Sequence, residues 1–422
     1  MNTNTNNEVS VLQISIHGER VGYLAGFKNG RNVLSFADEF KKNPHRSTFS
    51  LITHPTFPNA NKLMLEPWSR NQRLHPVLSN LLPEGSLREL IAQGLKTHID
   101  NEFHLLSYLG NDLPGAIQAL PLEPSNIPEY VLNTHGKATA VKFDQLNQEN
   151  KFSLAGVQMK FSMKETDGRF TLSNNGNLGN WIIKTPSTKH KLLPQNEFTA
   201  MTLARMAGID IPEIKLVDLN RLDNLPSINL PSETQAFAIK RFDRSDNQRI
   251  HMEDFAQILV KYPHEKYNSA NYENIGKVIY HFSGQGLIDA QQFAKRLLVN
   301  ILLANGDAHL KNWSLIYLDK VTPQLSPAYD IVTTSVYIEN ETQFALNLSK
   351  TKHWYEISMA HFETWSAKTG IPWKAIKPHL NDTLAKARER WPTALKDLPM
   401  TEQHKQTLIT HWDMLHQDFR IV

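Results

Sequence analysis

The chain has 422 residues, a formal net charge of +3, 40% hydrophobic and 21% charged residues. These are ordinary values for a soluble globular protein with room for two or three cores. It contains no cysteine, which excludes disulfides, a thiolate nucleophile and any cysteine-held zinc or iron–sulfur centre. The opening MNTNTNNEVS is polar and no run of about 18 apolar residues occurs, so a cytoplasmic protein without a signal peptide or membrane span is expected.

From Val9 to about Leu51, VSVLQISI and VGYLAGF alternate apolar and polar residues around turns at His17-Gly18 and Asn29-Gly30, the pattern of strands. PVLSNLLPEGSLRELIAQG and NEFHLLSYLG read as helical text closing at glycine. The proline-rich, polar LPLEPSNIPEYVLNTHGKATA reads as a linker and places a boundary near residue 130. A second β-rich block runs from about 150 to 245, with strand candidates KFSLAG, QMKFSMKE, RFTLS, NWIIKT, EIKLVDL and QAFAIKRF. One helix, QNEFTAMTLARMAG, interrupts it and closes at Gly208. Beyond about 252 the spacing predicts helices over EDFAQILVKY, YENIGKVIYHFSG, AQQFAKRLLVNILLANG, MAHFETWSAKTG and WKAIKPHLNDTLAKARERW, around a small β-insertion of NWSLIYLD and QLSPAYDIV. The expected units are 1–130, 131–245 and 246–422. Strands with one helix, then helices with a β-insertion, is the order of a bilobal α+β kinase, although many α+β proteins share it.

The chemistry concentrates in ANGDAHLKNWSLIY. Asp307 follows a long apolar helix and Asn312 lies five residues on, before a strand. A kinase needs a carboxylate to accept the acceptor hydroxyl's proton and an amide oxygen for magnesium, spaced D-x-x-x-x-N. A second metal-gripping aspartate belongs on the following hairpin, and Asp330 in LSPAYDIV stands there. His309 and Lys311 lie between the pair, placed to steady the loop and neutralise the moving phosphate. Spacing alone is weak: Asp38 and Asn43 satisfy it too, and a turn aspartate with a strand-capping asparagine fits equally well. Upstream, Lys184 ends the apolar strand NWIIKTP, where an ammonium can meet ATP phosphates. Glu197 on the next helix is its candidate orienting partner; the competing reading is a surface lysine and an exposed first-turn acid. SLAGVQMKFSM carries Gly156 and Lys160 but lacks the repeated glycines of a phosphate loop, so an ordinary hairpin stays open there. AIKRFDR reads either as an inter-lobe strand beside adenine, with Phe242 packing nearby, or as a buried strand ending in solvated charge. His404, His411 and His416 lack metal spacing, and Trp354, Trp365, Trp373, Trp391 and Trp412 read as core or interface residues.

In combination and order these motifs resemble the HipA family of bacterial toxin kinases over nearly the whole chain. NLLPEGSLRELIA and FHLLSYLGNDLPGAI are similar to its N-terminal subdomain, and FSLAGVQMKFSM to its ATP-covering loop. IIKTP, NEFTAMTLARMAGI, IKRFDR and MEDFAQIL follow in the family's order, then NGDAHLKNWSLIY and LSPAYDI as catalytic and metal-binding loops. The resemblance implies a kinase-like fold whose β-rich N-lobe carries an extra N-terminal subdomain above a mainly helical C-lobe. It implies Asp307 as catalytic base, Asn312 and Asp330 as magnesium ligands, and Lys184 on the ATP phosphates. Ala155, Gly156, Val157, Gln158, Met159 and Lys160 would form the loop over the phosphates. Lys240, Arg241 and Phe242 would line the adenine pocket, with His309, Lys311 and Tyr329 nearby. Ser153 matches the loop serine whose autophosphorylation switches the kinase off, since a phosphoserine would be repelled by ATP. Met159 departs from the polar or acidic residue expected at its position. The implied partners are a HipB-like helix-turn-helix antitoxin, operator DNA mainly through that antitoxin, and an aminoacyl-tRNA synthetase as serine acceptor. The competing functions are a small-molecule or lipid kinase of related fold and a non-catalytic corepressor.

Overall fold

The computed structural model describes residues 7–9, 11–27, 29–133, 141–143, 158–172, 178–226, 230–245 and 248–421. Ser153, Ala155, Gly156 and Val157, and the expected strand KFSLAG, lie outside these residues.

The first alternating segments form a five-stranded antiparallel sheet. Its strands are β1 (Val11–Ile16), β2 (Glu19–Gly26), β3 (Arg31–Phe36), β4 (Trp68–Asn71) and β5 (Ile117–Pro121), in spatial order β4-β3-β2-β1-β5. His17 and Gly18 both take positive φ, 49° and 80°, the two-residue turn whose twist matches that of paired strands. Leu120 and Pro121, the start of the expected linker, instead finish β5, an edge strand where proline is tolerated. The helical text after Pro76 breaks into α1 (Pro76–Ser79) and α2 (Gly85–Gly94), followed by α3 (Glu102–Leu109). Pro83 disfavours helix at the residue before it, and Gly85 turns the chain at φ 57°. The 80–84 connection is thereby left free to reach another part of the molecule.

The second sheet is six-stranded: β6 (Lys160–Thr166), β7 (Arg169–Leu172), β8 (Trp181–Lys184), β9 (Ile214–Asp218), β10 (Leu222–Asp223) and β11 (Gln235–Lys240), in order β9-β11-β8-β6-β7-β10. Lys184 ends its central strand β8, opposite Lys160 on β6 and Phe237 on β11. Helix α4 (Leu193–Met206) follows β8 and packs on β11 and β9, its buried Ala200, Met201, Leu203 and Ala204 recurring at helical spacing.

EDFAQILVKY is not one helix. Its first residues belong to β12 (His251–Asp254), and only Phe255–Ile258 (α5) are helical, capped by Asp254 Oδ1 accepting the Gln257 N–H at 2.9 Å. The chain leaves the helix at Val260, whose φ is 54°. Strand β12 pairs with β13 (Ser314–Tyr317), which pairs with β14 (Gln324–Leu325), so the expected β-insertion has a third strand. Around it stand α6 (Tyr272–Phe282), α7 (Gly286–Leu302), α8 (Met359–Thr369), α9 (Trp373–Asp397) and α10 (Glu402–Met414). A short hairpin, Gln343–Leu348 with Thr351–His353, had no counterpart in the sequence reading.

Four of the five tryptophans read as core or interface, Trp354, Trp365, Trp391 and Trp412, are fully buried, and Trp373 is partly so. Trp391 and Trp412 lie 5.8 Å apart, and their Nε1 atoms donate to the carbonyls of Leu203 and Leu302 at 2.9 Å each. Trp412→Ala should cost about 3–5 kcal/mol, read from the urea midpoint at constant slope. A loss below about 1 kcal/mol would contradict this packing role. His411 beside it is buried, with Nε2 2.8 Å from the Ile301 carbonyl, and burial pushes its imidazole down to about 4 from 6.5. The unfolded chain therefore binds the proton first as pH falls. Stability from neutral His411 is complete above about 6.5 and is lost on the way down to about 4. His411→Gln should flatten that acid-side fall in Tm; parallel curves for variant and wild type would refute it.

The N-terminal sheet meets more than the neighbouring β-rich part. Glu253 on β12 accepts from Ser50 Oγ and the Leu51 N–H, 2.7 Å each, and from the Tyr317 hydroxyl. Burial lifts this carboxyl to about 7 against those donors. On the other side, Asp243 Oδ2 accepts from the Gly115 N–H at 2.8 Å and Arg244 pairs with Asp112 at 2.9 Å. Gly115 has φ 74°, and a Cβ there would stand 2.9 Å from the Met252 backbone, so this seam requires glycine.

Candidate active site

Helix α7 delivers the chain to the cleft and stops at Ala304, whose φ is 49°. Asn305, buried, accepts the Asp307 N–H on Oδ1 at 3.1 Å, and its Nδ2 reaches the Asp330 carbonyl at 3.5 Å. One asparagine thus ties the two aspartate-bearing loops together. Gly306 is needed for close approach: a Cβ there would fall 2.2 Å from Glu341 Oε1. The Gly306 N–H donates to Thr334 Oγ1 at 2.7 Å, and that hydroxyl bonds Glu341 Oε2 at 2.6 Å. Burial first, then Thr334 pulling down and Asp307 pushing up, leave the Glu341 carboxyl at about 7.

Asp307 itself is half exposed, at 51% of its side chain. Its Oδ1 accepts from the Tyr267 hydroxyl at 2.7 Å and stands 3.9 Å from His309 Nε2. His309 Nδ1 accepts the Lys311 N–H at 3.3 Å, which leaves Nε2 as the protonated nitrogen facing Asp307. Burial pushes this imidazole down to about 4, so it is neutral at pH 7. Asn312 Nδ2 donates to the Asp307 carbonyl at 2.7 Å, closing the turn and leaving Oδ1 as the acceptor the amide can offer.

Asp330 follows β14 at φ 54°, a left-handed backbone conformation for a residue with a Cβ. Its Oδ1 contacts Lys184 and its Oδ2 contacts Lys160 at 3.1 Å. Lys184 also contacts Glu197, and this lysine and glutamate are buried to 4% and 1% exposure. Glu197 is therefore no exposed first-turn acid. Neighbouring Asn196 exchanges two hydrogen bonds with the Thr333 backbone, 3.0 and 2.9 Å, fixing α4 to the loop that carries Asp330. Burial disfavours each charge, but Lys160 and Lys184 hold the Asp330 carboxyl far below the carboxylate range. Asp330 and Glu197 lift the Lys184 ammonium in turn, while burial dominates at Glu197 and raises its carboxyl.

Among the described residues no group of three or more His, Cys, Asp or Glu is placed to hold a metal alone. Asp330 and Asn312 line one small cleft with Tyr329 and Asn300, and an all-oxygen pair of this kind suits magnesium completed by substrate phosphates. The donor set fits.

The remaining candidates divide. Phe242 packs on Tyr329 with ring centroids 5.5 Å apart, which puts both beside Asp330. Gln158 and Met159 lead into β6, and Met159 is buried under the sheet, where an apolar residue suits the site. Three cations point elsewhere. Arg241 is buried against Asp243 (2.8 and 2.6 Å) and Ser162 (2.8 Å), and Lys240 lies exposed 3.6 Å from Glu213. Lys311 turns to Asp254 at 3.1 Å, Glu84 at 3.4 Å and Asn80 at 2.9 and 3.0 Å. The sequence reading missed Tyr267, Asn305 and Glu341. Only Asn305, one residue before the Gly-Asp pair, carried a signal.

Two family models cover most of the chain: the HipA N-terminal domain matches residues 12–120 and the HipA-like C-terminal domain residues 152–391. The chain belongs to the HipA family. A protein of Sinorhizobium fredii, Y4dM, whose name classes it provisionally as a kinase, is 38% identical over 411 residues, covering 96% of this chain and 97% of its own. The serine/threonine-protein kinase toxin HipA of Shewanella oneidensis is 23% identical over 410 residues, 90% and 88% of the two chains. A chain in the solved complex of Shewanella oneidensis HipA, HipB and operator DNA superposes with a TM-score of 0.69 at 20% identity, over 95% of this chain and 94% of that one. The fold is thus the α+β, kinase-like HipA fold. No helix among the described residues is long and apolar enough to cross a membrane.

Proposed function

We propose that this chain is an ATP- and magnesium-dependent serine/threonine protein kinase, the toxin of a toxin–antitoxin pair. The observation that carries the reading is the buried Lys184–Glu197 pair joined to Asp330, with Asn312 on the same cleft and Asp307 tied to it through Asn305. Lys184 and Lys160 hold ATP phosphate oxygens, and Phe242 and Tyr329 flank the base. Asp307 takes the proton of the acceptor hydroxyl; the hydroxyl oxygen bonds the γ-phosphorus as the bond to the β-phosphate oxygen breaks, and ADP leaves. Magnesium, when bound by Asp330 and Asn312, offsets the phosphate charge that develops. Lys311 steadies the catalytic loop through its N–H bond to His309 Nδ1, while the charged ends of Lys240 and Arg241 stay with Glu213 and Asp243.

Family membership supports a HipB-like antitoxin as partner, operator DNA through that antitoxin, and an aminoacyl-tRNA synthetase as acceptor, the last following from the resemblance set out above. Phosphoproteomics after inducing wild type and Asp307→Ala side by side tests this. The expected result is one dominant phosphoserine on a synthetase with wild type alone. Turnover of a metabolite without labelled protein would replace it with a small-molecule kinase, and equal growth arrest by both proteins with a non-catalytic corepressor.

Autophosphorylation at Ser153 is part of the same proposal. Ser153→Ala should keep the kinase active over a time course in which wild type decays; identical decay without phosphate on Ser153 would refute the switch.

A further inference from the structure

The connection between α1 and α2 belongs to the N-terminal subdomain, yet its side chains end at the catalytic loop. Glu84 stands immediately before the positive-φ Gly85 and is two-thirds covered. Its Oε2 accepts from Lys266 Nζ at 2.8 Å, and its Oε1 lies 3.4 Å from Lys311 Nζ. Each lysine adjoins a group that holds Asp307. Lys266 precedes Tyr267, whose hydroxyl bonds the Asp307 carboxylate, and the Lys266 carbonyl accepts the Leu310 N–H at 3.3 Å. Lys311 sits between His309 and Asn312, and its own N–H bonds His309 Nδ1. Asn80, buried, adds its backbone and side-chain oxygens to Lys311 while its Nδ2 bonds the Pro76 and Lys261 carbonyls. Asp254 completes the ring around Lys311, and Gln257 beside it reaches the Val77 carbonyl at 2.7 Å. Two lysines thus face two carboxylates, one of which comes from the subdomain.

We infer that Glu84 is a positioning residue: its carboxylate bridges Lys266 and Lys311 and so clamps both flanks of the catalytic loop, keeping the Asp307 carboxylate aimed at the acceptor. The inference rests on the kinase reading. It gives the N-terminal subdomain a direct part in transfer rather than in stability alone. Glu84 contacts none of Lys184, Glu197 or Asp330, so nucleotide binding is not its business. Neutralising it takes from Lys266 its carboxylate partner and leaves Lys311 on Asp254 and Asn80, and a loop displaced by a fraction of an ångström loses near-attack geometry steeply.

Three proteins test this, wild type, Glu84→Gln and Glu84→Asp, each measured for steady-state transfer, equilibrium binding of a fluorescent nucleotide and backbone hydrogen exchange over residues 307–312. Glu84→Gln should lower kcat roughly 30-fold, with KM for ATP and nucleotide Kd within about twofold and faster exchange in that segment, and Glu84→Asp should recover most of the rate. Unchanged exchange, a kcat within about twofold of wild type, or a parallel loss of nucleotide affinity would each overturn the clamp. Wild type that transfers no phosphate to any acceptor would overturn the kinase reading instead, and the exchange measurement would then decide the clamp by itself.

Discussion

Asp307→Ala is expected to lower phosphoryl transfer roughly a thousandfold, the middle of the range a positioned general base contributes, while nucleotide affinity stays within about twofold of wild type. The split follows from where the carboxylate stands. It is half exposed, bonded to Tyr267 and near His309, and it makes no contact with Lys184, Lys160 or Asp330. What fixes its position is mostly backbone: its N–H bonds Asn305 and its carbonyl accepts from Asn312. Removing the carboxylate therefore leaves the loop and the phosphate-facing lysines in place. Isothermal titration with nucleotide and a radiolabel transfer assay read the two effects separately. A variant that retains more than about a tenth of the wild-type rate would assign the base elsewhere. Tyr267→Phe should act in the same direction and far more weakly, because the hydroxyl orients the carboxylate without taking the proton.

How far the site could be read in advance depended on where the contacts lie along the chain. Asp307 and Asn312 were legible because helix, turn and strand leave their own local signals, and five residues of spacing bring them together in one turn. Lys184 and Glu197 were legible for the same reason, being a strand end and the next helix. The first two strands were legible too, from local alternation about the His17-Gly18 turn, whereas β4 and β5 carried no strand reading. What escaped was contact across long separations. Glu84 meets Lys311 from the connection between α1 and α2, Tyr267 reaches Asp307 from a connection without periodicity, and Glu253 seals a seam to Ser50 and Leu51. Nor does charge type tell where a cation turns: Arg241 pairs with buried Asp243 and Lys311 with buried Asp254, contacts that local spacing does not show. The reading of EDFAQILVKY failed because apolar spacing cannot show that Asp254 caps a helix at its own position and that Val260 turns it off.

Asp330→Ala should abolish the magnesium-dependent part of nucleotide affinity, a loss of roughly a hundredfold, while leaving the fold intact. Both carboxylate oxygens of Asp330 are engaged with ammonium groups, Lys184 on one and Lys160 on the other. To hold a divalent cation Asp330 would give up at least one of those contacts, and the lysine so released would stand beside the site where phosphate oxygens are expected. The pairing therefore stores the carboxylate in its charged form, held by the two lysines against the cost of burial, and ready for exchange of one positive partner for another. Removing Asp330 does not strand Lys184, because Glu197 remains bonded to it under the sheet, and Asn196 keeps α4 on the Thr333 backbone. Stability should then change little compared with the loss of Trp412. The decisive comparison is nucleotide affinity with magnesium and with a chelator. Wild type should bind far more tightly with the metal, whereas Asp330→Ala should bind equally in both. If the variant keeps the full magnesium gain, the metal is held by other residues, and the exchange of lysine for metal at Asp330 is wrong.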